Sequence, residues 1–333
     1  MYNKRLWSVG GGKGGIGKSI LTLGLGISLA RMGKKVVLID CDLGGANLHT
    51  LMGMRYPQIT LEDFFLKRAA RLEETVQESP IEGLGLICGA DDILGAANPT
   101  YAQKIRLLKE LENLPAQYIF LDLGAGSSLN MLDFFNYCVG KIVLFTPQTT
   151  SLQNAYGFIK NAIYRKLSRE FARETEVFQL LFADGQETEG NPPVMVDLLA
   201  WLKDASPERY SKVLQVFRDF QVFLVVNMVK SRADLKSLEI IQSVCADFLN
   251  IHPEILGHLE YDPAVEVAVN RMQPFPLAQK RSRTAVAMQD IALKVLKASR
   301  LPRGFWVPEE ENPAASRGTE AALQAKPYCV PTS

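Results

Sequence analysis

Seven short apolar runs recur along the chain, and segments with helical periodicity lie between them. Continuous apolar runs are typical of strands buried on both faces of a parallel sheet, whereas half-exposed strands alternate apolar and polar residues. Strands and helices in alternation predict an α/β fold with a doubly wound, mostly parallel sheet and helices on both faces. The runs are residues 6–11, 35–40, 84–89, 118–123, 141–146, 222–227 and 255–260.

The predicted strands and helices form a single domain over residues 1–300. Within it, residues 168–220 separate two predicted strands by about fifty residues, more than most crossovers need. This segment is either an elaborated crossover packed on the same core or an insertion that docks a partner. Residues 301–333 are predicted to be disordered, because a segment rich in Pro, Ala, Glu and Ser buries too little apolar surface to offset its ordering entropy. One helical face in the long crossover carries Tyr210, Val213, Leu214 and Phe217.

The segment GKGGIGKS, residues 12–19, matches the pattern G-x-x-x-x-G-K-[ST]. It follows a predicted strand and opens a predicted helix, which is the context that the pattern requires. Its glycines let backbone N–H groups face phosphate oxygens, and the helix N-terminus adds partial positive charge. Lys18 is then placed to reach β- and γ-phosphates, and the Ser19 hydroxyl to ligate Mg²⁺. The sequence therefore predicts a nucleoside triphosphate site.

Aspartates follow two of the predicted strands at the ends where α/β proteins bind ligands. Asp40 and Asp42 close the second run, and Asp122 closes the fourth. Mg²⁺ is commonly held through one or two carboxylates together with phosphate oxygens, so these residues are candidate metal-site groups. The guanine-specific pattern N-K-x-D is absent near residue 227. Asn227 ends a predicted strand and either pairs with a base edge through its amide or caps a turn.

Composition weakens the case for several other function classes. Lysine and arginine number 37 against 36 acidic residues, so net charge gives no case for nucleic acid as a partner. The five cysteines form no C-x-x-C pair, which disfavours a zinc site or a disulfide framework. The N-terminus lacks an apolar core of signal-peptide length, and free thiols suit a reducing compartment. We therefore expect a cytoplasmic protein.

Three segments taken together, GGKGGIGKS, IDCDLGGANLHTLMG and YIFLDLGAG, resemble the MinD/ParA class of P-loop ATPases with a deviant Walker A loop. Within that class the chain is most similar to the MinD-like flagellar-number regulators called FlhG or FleN. The likeness extends from about Leu6 to Arg300, except for residues 168–220. A lysine at the second loop position, here Lys13, marks this class among P-loop proteins.

The resemblance implies an ATP-driven dimerisation switch with slow turnover and Mg²⁺ as cofactor. Asp42 corresponds to the residue that orients the attacking water, and Asp40 and Asp122 support the metal together with Ser19. Asn227, Asp262 and Pro263 fall on the adenine side. The loop residues implied to bind ATP are Gly12, Lys13, Gly14, Gly15, Ile16, Gly17, Lys18, Ser19 and Ile20.

Lys13 has two interpretations. It is either a solvated surface lysine, as most lysines are, or, as the resemblance implies, a group that crosses a homodimer interface to the phosphates of the other subunit. The family commonly has an aspartate at the position of Asn154, so any role of that aspartate is in doubt here.

The expected process is control of flagellar number or placement, with an unidentified regulatory protein as partner. Residues 300–306 are basic and aromatic but interrupted by Pro302, so they either anchor the protein at the inner membrane surface or pack on the body. The alternatives are a ParA-type DNA partition ATPase, an iron–sulfur carrier using Cys88 and Cys138, and a non-enzymatic scaffold.

Overall fold

The computed structural model describes residues 5–43, 45–89, 99–172 and 195–298. In these ranges eight strands form one sheet. The strands are β1 (Arg5–Gly10), β2 (Val36–Asp40), β3 (Gln77–Glu78), β4 (Leu84–Ile87), β5 (Tyr118–Asp122), β6 (Gly140–Phe145), β7 (Val222–Val229) and β8 (Glu254–Glu260). Their order is β3-β4-β2-β5-β1-β6-β7-β8. Every pair is parallel except β3 with β4.

Helices cover both faces of the sheet. They are α1 (Lys18–Arg31), α2 (Leu48–Leu51), α3 (Leu61–Phe65), α4 (Tyr101–Leu111), α5 (Leu129–Tyr137), α6 (Thr149–Glu170), α7 (Met195–Ala205), α8 (Pro207–Arg218), α9 (Lys236–Leu249), α10 (Pro263–Asn270), α11 (Phe275–Ala278) and α12 (Arg283–Ala298). One core cluster contains residues of α3 to α9, and the other contains residues of α1, α2 and α10 to α12. In the described ranges, no helix has both the length and the apolar character that crossing a membrane demands.

Strand β5 shows why the apolar runs are continuous. Ile119 and Leu121 belong to one core cluster, while Tyr118 and Phe120 belong to the other. Successive side chains of a strand point to opposite faces, and both faces are covered here, so each position favours an apolar residue. The predicted doubly wound α/β fold is therefore confirmed.

Strand β3 was absent from the sequence prediction. It has two residues, Gln77 and Glu78, which are half-buried and exposed. Its pairing with Leu86 and Gly85 of β4 is what defines it as a strand. A polar pair at a sheet edge has no hydrophobic periodicity, so a local pattern does not identify it.

The long crossover contributes α7 and α8. The apolar face predicted from Tyr210, Val213, Leu214 and Phe217 lies on α8 and packs on the core beside α6. Val213 is buried and the other three are partly buried. This packing favours the elaborated crossover, while the domain boundaries themselves stay a prediction. Residues 173–194 of this segment and the predicted tail, 301–333, lie outside the described residues.

A buried ion-pair cluster joins α4, α5 and α6. Asp133 accepts hydrogen bonds from Nε and Nη2 of Arg165 at 2.8 and 3.0 Å, and it also pairs with Lys104. Arg169 approaches the same carboxylate at 3.4 Å. These cations lower the pKa of Asp133 against the opposing effect of burial, which is the largest single influence. The cluster holds α5, which begins just after the loop that follows β5, against α4 and α6.

The sheet order places a crevice above β1. The chain crosses from β1 to β2 on one side, and from β6 it continues to β7 and β8 on the other side. Connections that leave in opposite directions open a crevice at the carboxyl ends of the strands, where ligands of doubly wound proteins bind. The glycine-rich segment follows β1 at this point.

Candidate functional site

The loop between β1 and α1 depends on two glycines for different reasons. Gly17, at the N-cap of α1, has φ 92°, a left-handed conformation that residues with a side chain rarely adopt. A Cβ on Gly12 would lie 2.4 Å from the carbonyl oxygen of Asn154, so close packing against α6 excludes a side chain there. The predicted strand–loop–helix context of the motif is therefore present.

Lys18 points back across the loop. Its Nζ donates a hydrogen bond to the carbonyl oxygen of Lys13 at 3.2 Å, and the side chain is buried. Burial lowers the pKa of Lys18, while the charges of Asp122 and Asp42 raise it. An ammonium held across a glycine-rich loop at a helix N-terminus is well placed to bind phosphate oxygens by charge-assisted hydrogen bonds.

Lys13 lies on the outer side of the same loop. Its side chain is exposed, as are the backbones of Gly14 and Gly15 beside it. Only the carbonyl group of Lys13 takes part in the contact with Lys18. The two lysines of the motif therefore point in different directions, Lys18 across the loop and Lys13 toward solvent.

Asp122 lies at the end of β5 beside the start of α1. Its carboxylate is almost fully buried and accepts hydrogen bonds from the hydroxyl of Ser19 and from Thr22 Oγ1, the latter at 3.0 Å. Burial raises the pKa of Asp122 to about 6, and the Ser19, Thr22 and Lys18 groups limit that rise. Thr22 was not among the predicted site residues; it lies one helical turn after Lys18 and donates into the site from the interior.

Asp40 is occupied by the backbone of the following loop. Its Oδ1 accepts from Asp42 N at 3.1 Å, and its Oδ2 accepts from Asn47 N at 2.9 Å and Leu48 N at 3.0 Å. Burial, followed by the charge of Asp122, raises its pKa above the ordinary value. The structure gives Asp40 the task of shaping the loop that carries Asp42, and its predicted part in metal support stays a prediction.

Asp42 lies over the end of β5. A Cβ on Gly124 would be 2.7 Å from Asp42 Oδ1, so the absence of a side chain at Gly124 makes room for this carboxylate. Asp42 is half-buried and near enough to Lys18 to influence its pKa. Its carboxylate thus faces the crevice between the loop after β2 and the loop after β5.

The residues present fit a Mg²⁺–triphosphate complex. In the described part of the chain, no three His, Cys, Asp or Glu side chains are grouped so that they could hold a metal alone. A magnesium ion bound here would therefore depend on phosphate oxygens and water besides protein oxygens, which is its usual manner of binding with nucleotides. The Ser19 hydroxyl, with Asp122 behind it, offers such an oxygen.

The three predicted adenine-side residues all make contacts within the protein. Asn227 contacts the glycine-rich loop, whereas Asp262 and Pro263 begin α10. Asp262 Oδ1 accepts from Ala264 N at 2.9 Å as the helix cap, and Pro263 takes the first helical position. These contacts explain the residue types without a base, so their binding of adenine stays a prediction.

Replacing Asp122 by asparagine tests the electrostatics of the site. The folded pKa lies above the unfolded value of 3.8, so ionisation of Asp122 opposes folding. The loss of stability caused by this ionisation is absent below pH 3.8 and reaches its full size once the pH exceeds about 6. We expect nucleotide-free Asp122→Asn to gain roughly 1–3 kcal/mol of stability relative to wild type between about pH 4 and pH 7, measured by chemical unfolding. Asp290→Asn, at an exposed carboxylate, is the control, and a difference independent of pH contradicts the assignment.

Comparison with known proteins places these features in a family. A family model described as the CobQ/CobB/MinD/ParA nucleotide binding domain matches residues 7–275. The putative septum site-determining protein MinD of Tupiella akineta is 23% identical over 299 residues, which cover 88% of this chain and 78% of the relative. The flagellum site-determining protein YlxH of Helicobacter pylori is 33% identical over 161 residues, 47% of this chain and 53% of the relative.

A solved structure shares the fold. The septum site-determining protein MinD complexed with Mg-ADP, from Pyrococcus horikoshii, superposes with a TM-score of 0.61 at 20% sequence identity, covering 88% of this chain and 96% of that chain. Relatives named for septum siting and for flagellum siting are both similar to this chain, so the comparisons do not single out the flagellar regulators.

Proposed function

The chain belongs to the CobQ/CobB/MinD/ParA nucleotide-binding family, and from that premise we propose that it is a slow regulatory ATPase whose ATP-bound form is a homodimer. The proposal rests on the position of Lys18, whose Nζ reaches across the loop to the carbonyl oxygen of Lys13. Ser19 and Asp122 lie beside it. The four groups that the reaction needs, a phosphate cradle, a cation, a metal-site hydroxyl and a carboxylate for water, border one crevice.

Each residue has a task in this proposal. Lys18 gives its charge to the β- and γ-phosphates, and the loop N–H groups hold their oxygens. Ser19, oriented by Asp122, contributes an oxygen to Mg²⁺, which when bound neutralises charge on the transferred phosphoryl group. Asp42 orients the attacking water by accepting its hydrogen bond. Adenine is the proposed base, on the side of β7 and α10.

The cellular process is proposed at two levels. The relatives are named for determining the site of a septum or of a flagellum. We therefore propose that this ATPase sets the number or position of a cell structure through a regulatory protein that recognises the dimer. Flagellar placement is the finer proposal, supported by the name of the Helicobacter pylori relative. Counting flagella and mapping septa in a deletion strain tests it: normal flagella with misplaced septa would redirect the role to division.

The other function classes find less support in the structure. Cys88 and Cys138 are buried in different core clusters, on opposite faces of the sheet, so they do not form the paired ligands of an iron–sulfur carrier. The near balance of 37 basic and 36 acidic residues gives no electrostatic support to DNA partition. Membrane attachment through residues 300–306 concerns residues outside the described ranges and stays a prediction.

Lys18→Ala tests the assignment of the loop. We expect the affinity for Mg·ATP to fall about 10- to 100-fold, because a charge-assisted contact to the phosphates is lost. Calorimetry on wild type and variant measures this directly. Lys109→Ala, which removes an exposed lysine at the far end of α4, should bind as wild type does. Equal affinities of Lys18→Ala and wild type would exclude the loop as the phosphate site.

A further inference from the structure

Asn227 contacts the glycine-rich loop from the end of β7, 211 positions away in the sequence. Its Nδ2 donates to the carbonyl oxygen of Ile16 at 2.8 Å. Its Oδ1 accepts from the N–H of Met228 at 2.8 Å, which fixes the orientation of the amide. Met228 itself has φ 59°, a left-handed conformation that is uncommon for a residue with a side chain.

The bond to Ile16 also fixes the direction of a neighbouring donor. The peptide unit is planar and trans, so the N–H of Gly17 points opposite to the carbonyl of Ile16. If the carbonyl is turned toward Asn227, that N–H is turned away from Asn227. A phosphate cradle needs its N–H groups directed inward and its carbonyl oxygens directed elsewhere, because carbonyl oxygens repel phosphate oxygens.

Glycine makes such a constraint necessary. Gly17 has no side chain, and its φ of 92° lies in a region where a rotated Ile16–Gly17 peptide meets little steric resistance. A hydrogen bond from outside the loop can then select one orientation. The contact is close, since a Cβ on Gly17 would lie 2.5 Å from Asn227 Nδ2. The carbonyl of Lys13 is held in a similar way by Lys18 Nζ at 3.2 Å.

We propose that Asn227 is a positioning residue that holds the Ile16–Gly17 peptide in the orientation that receives phosphate, and that its main contribution to ATP binding is made through the loop and not through the base. This inference rests on the proposed function, since it requires that the loop binds phosphates. It differs from the base-pairing prediction made for Asn227 from the sequence, and the two assign the binding energy to different ends of the nucleotide.

Magnesium tripolyphosphate separates the two roles because it has the phosphates of ATP and no base. We would measure the dissociation constants of Mg·ATP and Mg·tripolyphosphate, by competition with a fluorescent ATP analogue, for wild type and Asn227→Ala. The proposal expects both affinities to fall by the same factor, about tenfold, because one hydrogen bond that orders the loop is removed. Asn113→Ala removes an exposed side-chain amide from the turn between α4 and β5 and should change neither affinity.

Each outcome is decisive. A loss confined to ATP shows that Asn227 recognises the nucleoside and overturns the proposal, as does no loss for either ligand. Thermal unfolding of nucleotide-free Asn227→Ala should remain one cooperative transition with only a modest fall in midpoint, because two partly buried hydrogen bonds are lost. Asn227→Ser, which is too short to reach Ile16, serves if the alanine variant does not fold. Lys18→Ala separates failure of the proposed function from failure of this inference. If Lys18→Ala binds both ligands as wild type does, the proposed function fails. If Lys18→Ala binds them weakly and Asn227→Ala binds them normally, only this inference fails.

Discussion

Asp42→Ala is expected to bind Mg·ATP about as tightly as wild type and to hydrolyse it at least about 100-fold more slowly. The Asp42 carboxylate lies over Gly124, at the edge of the crevice, and the backbone of Asp42 is held by Asp40. In the proposed function Lys18 and Ser19 serve the phosphates and the metal, so removal of Asp42 should leave binding in place. What is lost is the acceptor that orients the attacking water.

Two measurements made on the same preparation test this prediction. Calorimetry gives the affinity for Mg·ATP, and release of inorganic phosphate gives the rate of hydrolysis. Asp290→Ala, at an exposed position of α12, is the control for loss of one carboxylate. Hydrolysis at the wild-type rate would remove Asp42 from the mechanism. A loss of affinity equal to the loss of rate would instead assign Asp42 to nucleotide or metal binding.

The sequence predicts most of the sheet because burial on both faces leaves a local trace. Strands β1, β2 and β4 to β7 are buried at nearly every position, since residues such as Ile119 and Phe120 on β5 each face a helical layer. The edge strand β8 is partly exposed. The same reasoning does not predict β3, because its two polar residues form a strand only by pairing with β4. The buried cluster around Asp133 is missed for a related reason, because its cations come from α4 and α6.

For the site, too, the sequence predicts which residues take part but not all of the contacts that they make. The motif predicts Lys18 and Ser19 as site residues, and the strand end predicts Asp122, because these predictions need only local spacing. It does not predict that both oxygens of Asp40 are used by backbone N–H groups, since that depends on how the chain turns back seven and eight residues later. Nor does it predict that Asn227 contacts Ile16, a pairing that exists only after β7 has entered the sheet.

Lys13→Ala is expected to keep most of its affinity for Mg·ATP and to lose ATP-dependent dimerisation, with stimulated hydrolysis falling by about 100-fold or more. Within one subunit the Lys13 side chain is exposed and only its carbonyl contacts Lys18, so nucleotide binding has little need of its ammonium. Gly14 and Gly15 beside it are exposed as well. If two such exposed loops meet, two triphosphates approach each other and repel, and a cation supplied by each subunit to the other offsets that charge.

The Asp42→Ala background gives the sharpest test of Lys13, because slow hydrolysis keeps ATP bound during the measurement. Sedimentation of Asp42→Ala with Mg·ATP should show a dimer, and the double variant with Lys13→Ala should remain a monomer at the same saturation with nucleotide. Lys109→Ala in the same background, which removes an exposed lysine from the last turn of α4, should still dimerise. A dimer in the Lys13→Ala double variant would show that Lys13 is a solvated surface lysine, since the charge of two facing phosphate chains would then be offset without it. A monomer with normal ATP affinity would assign Lys18 to the nucleotide of its own subunit and Lys13 to the nucleotide of the partner subunit.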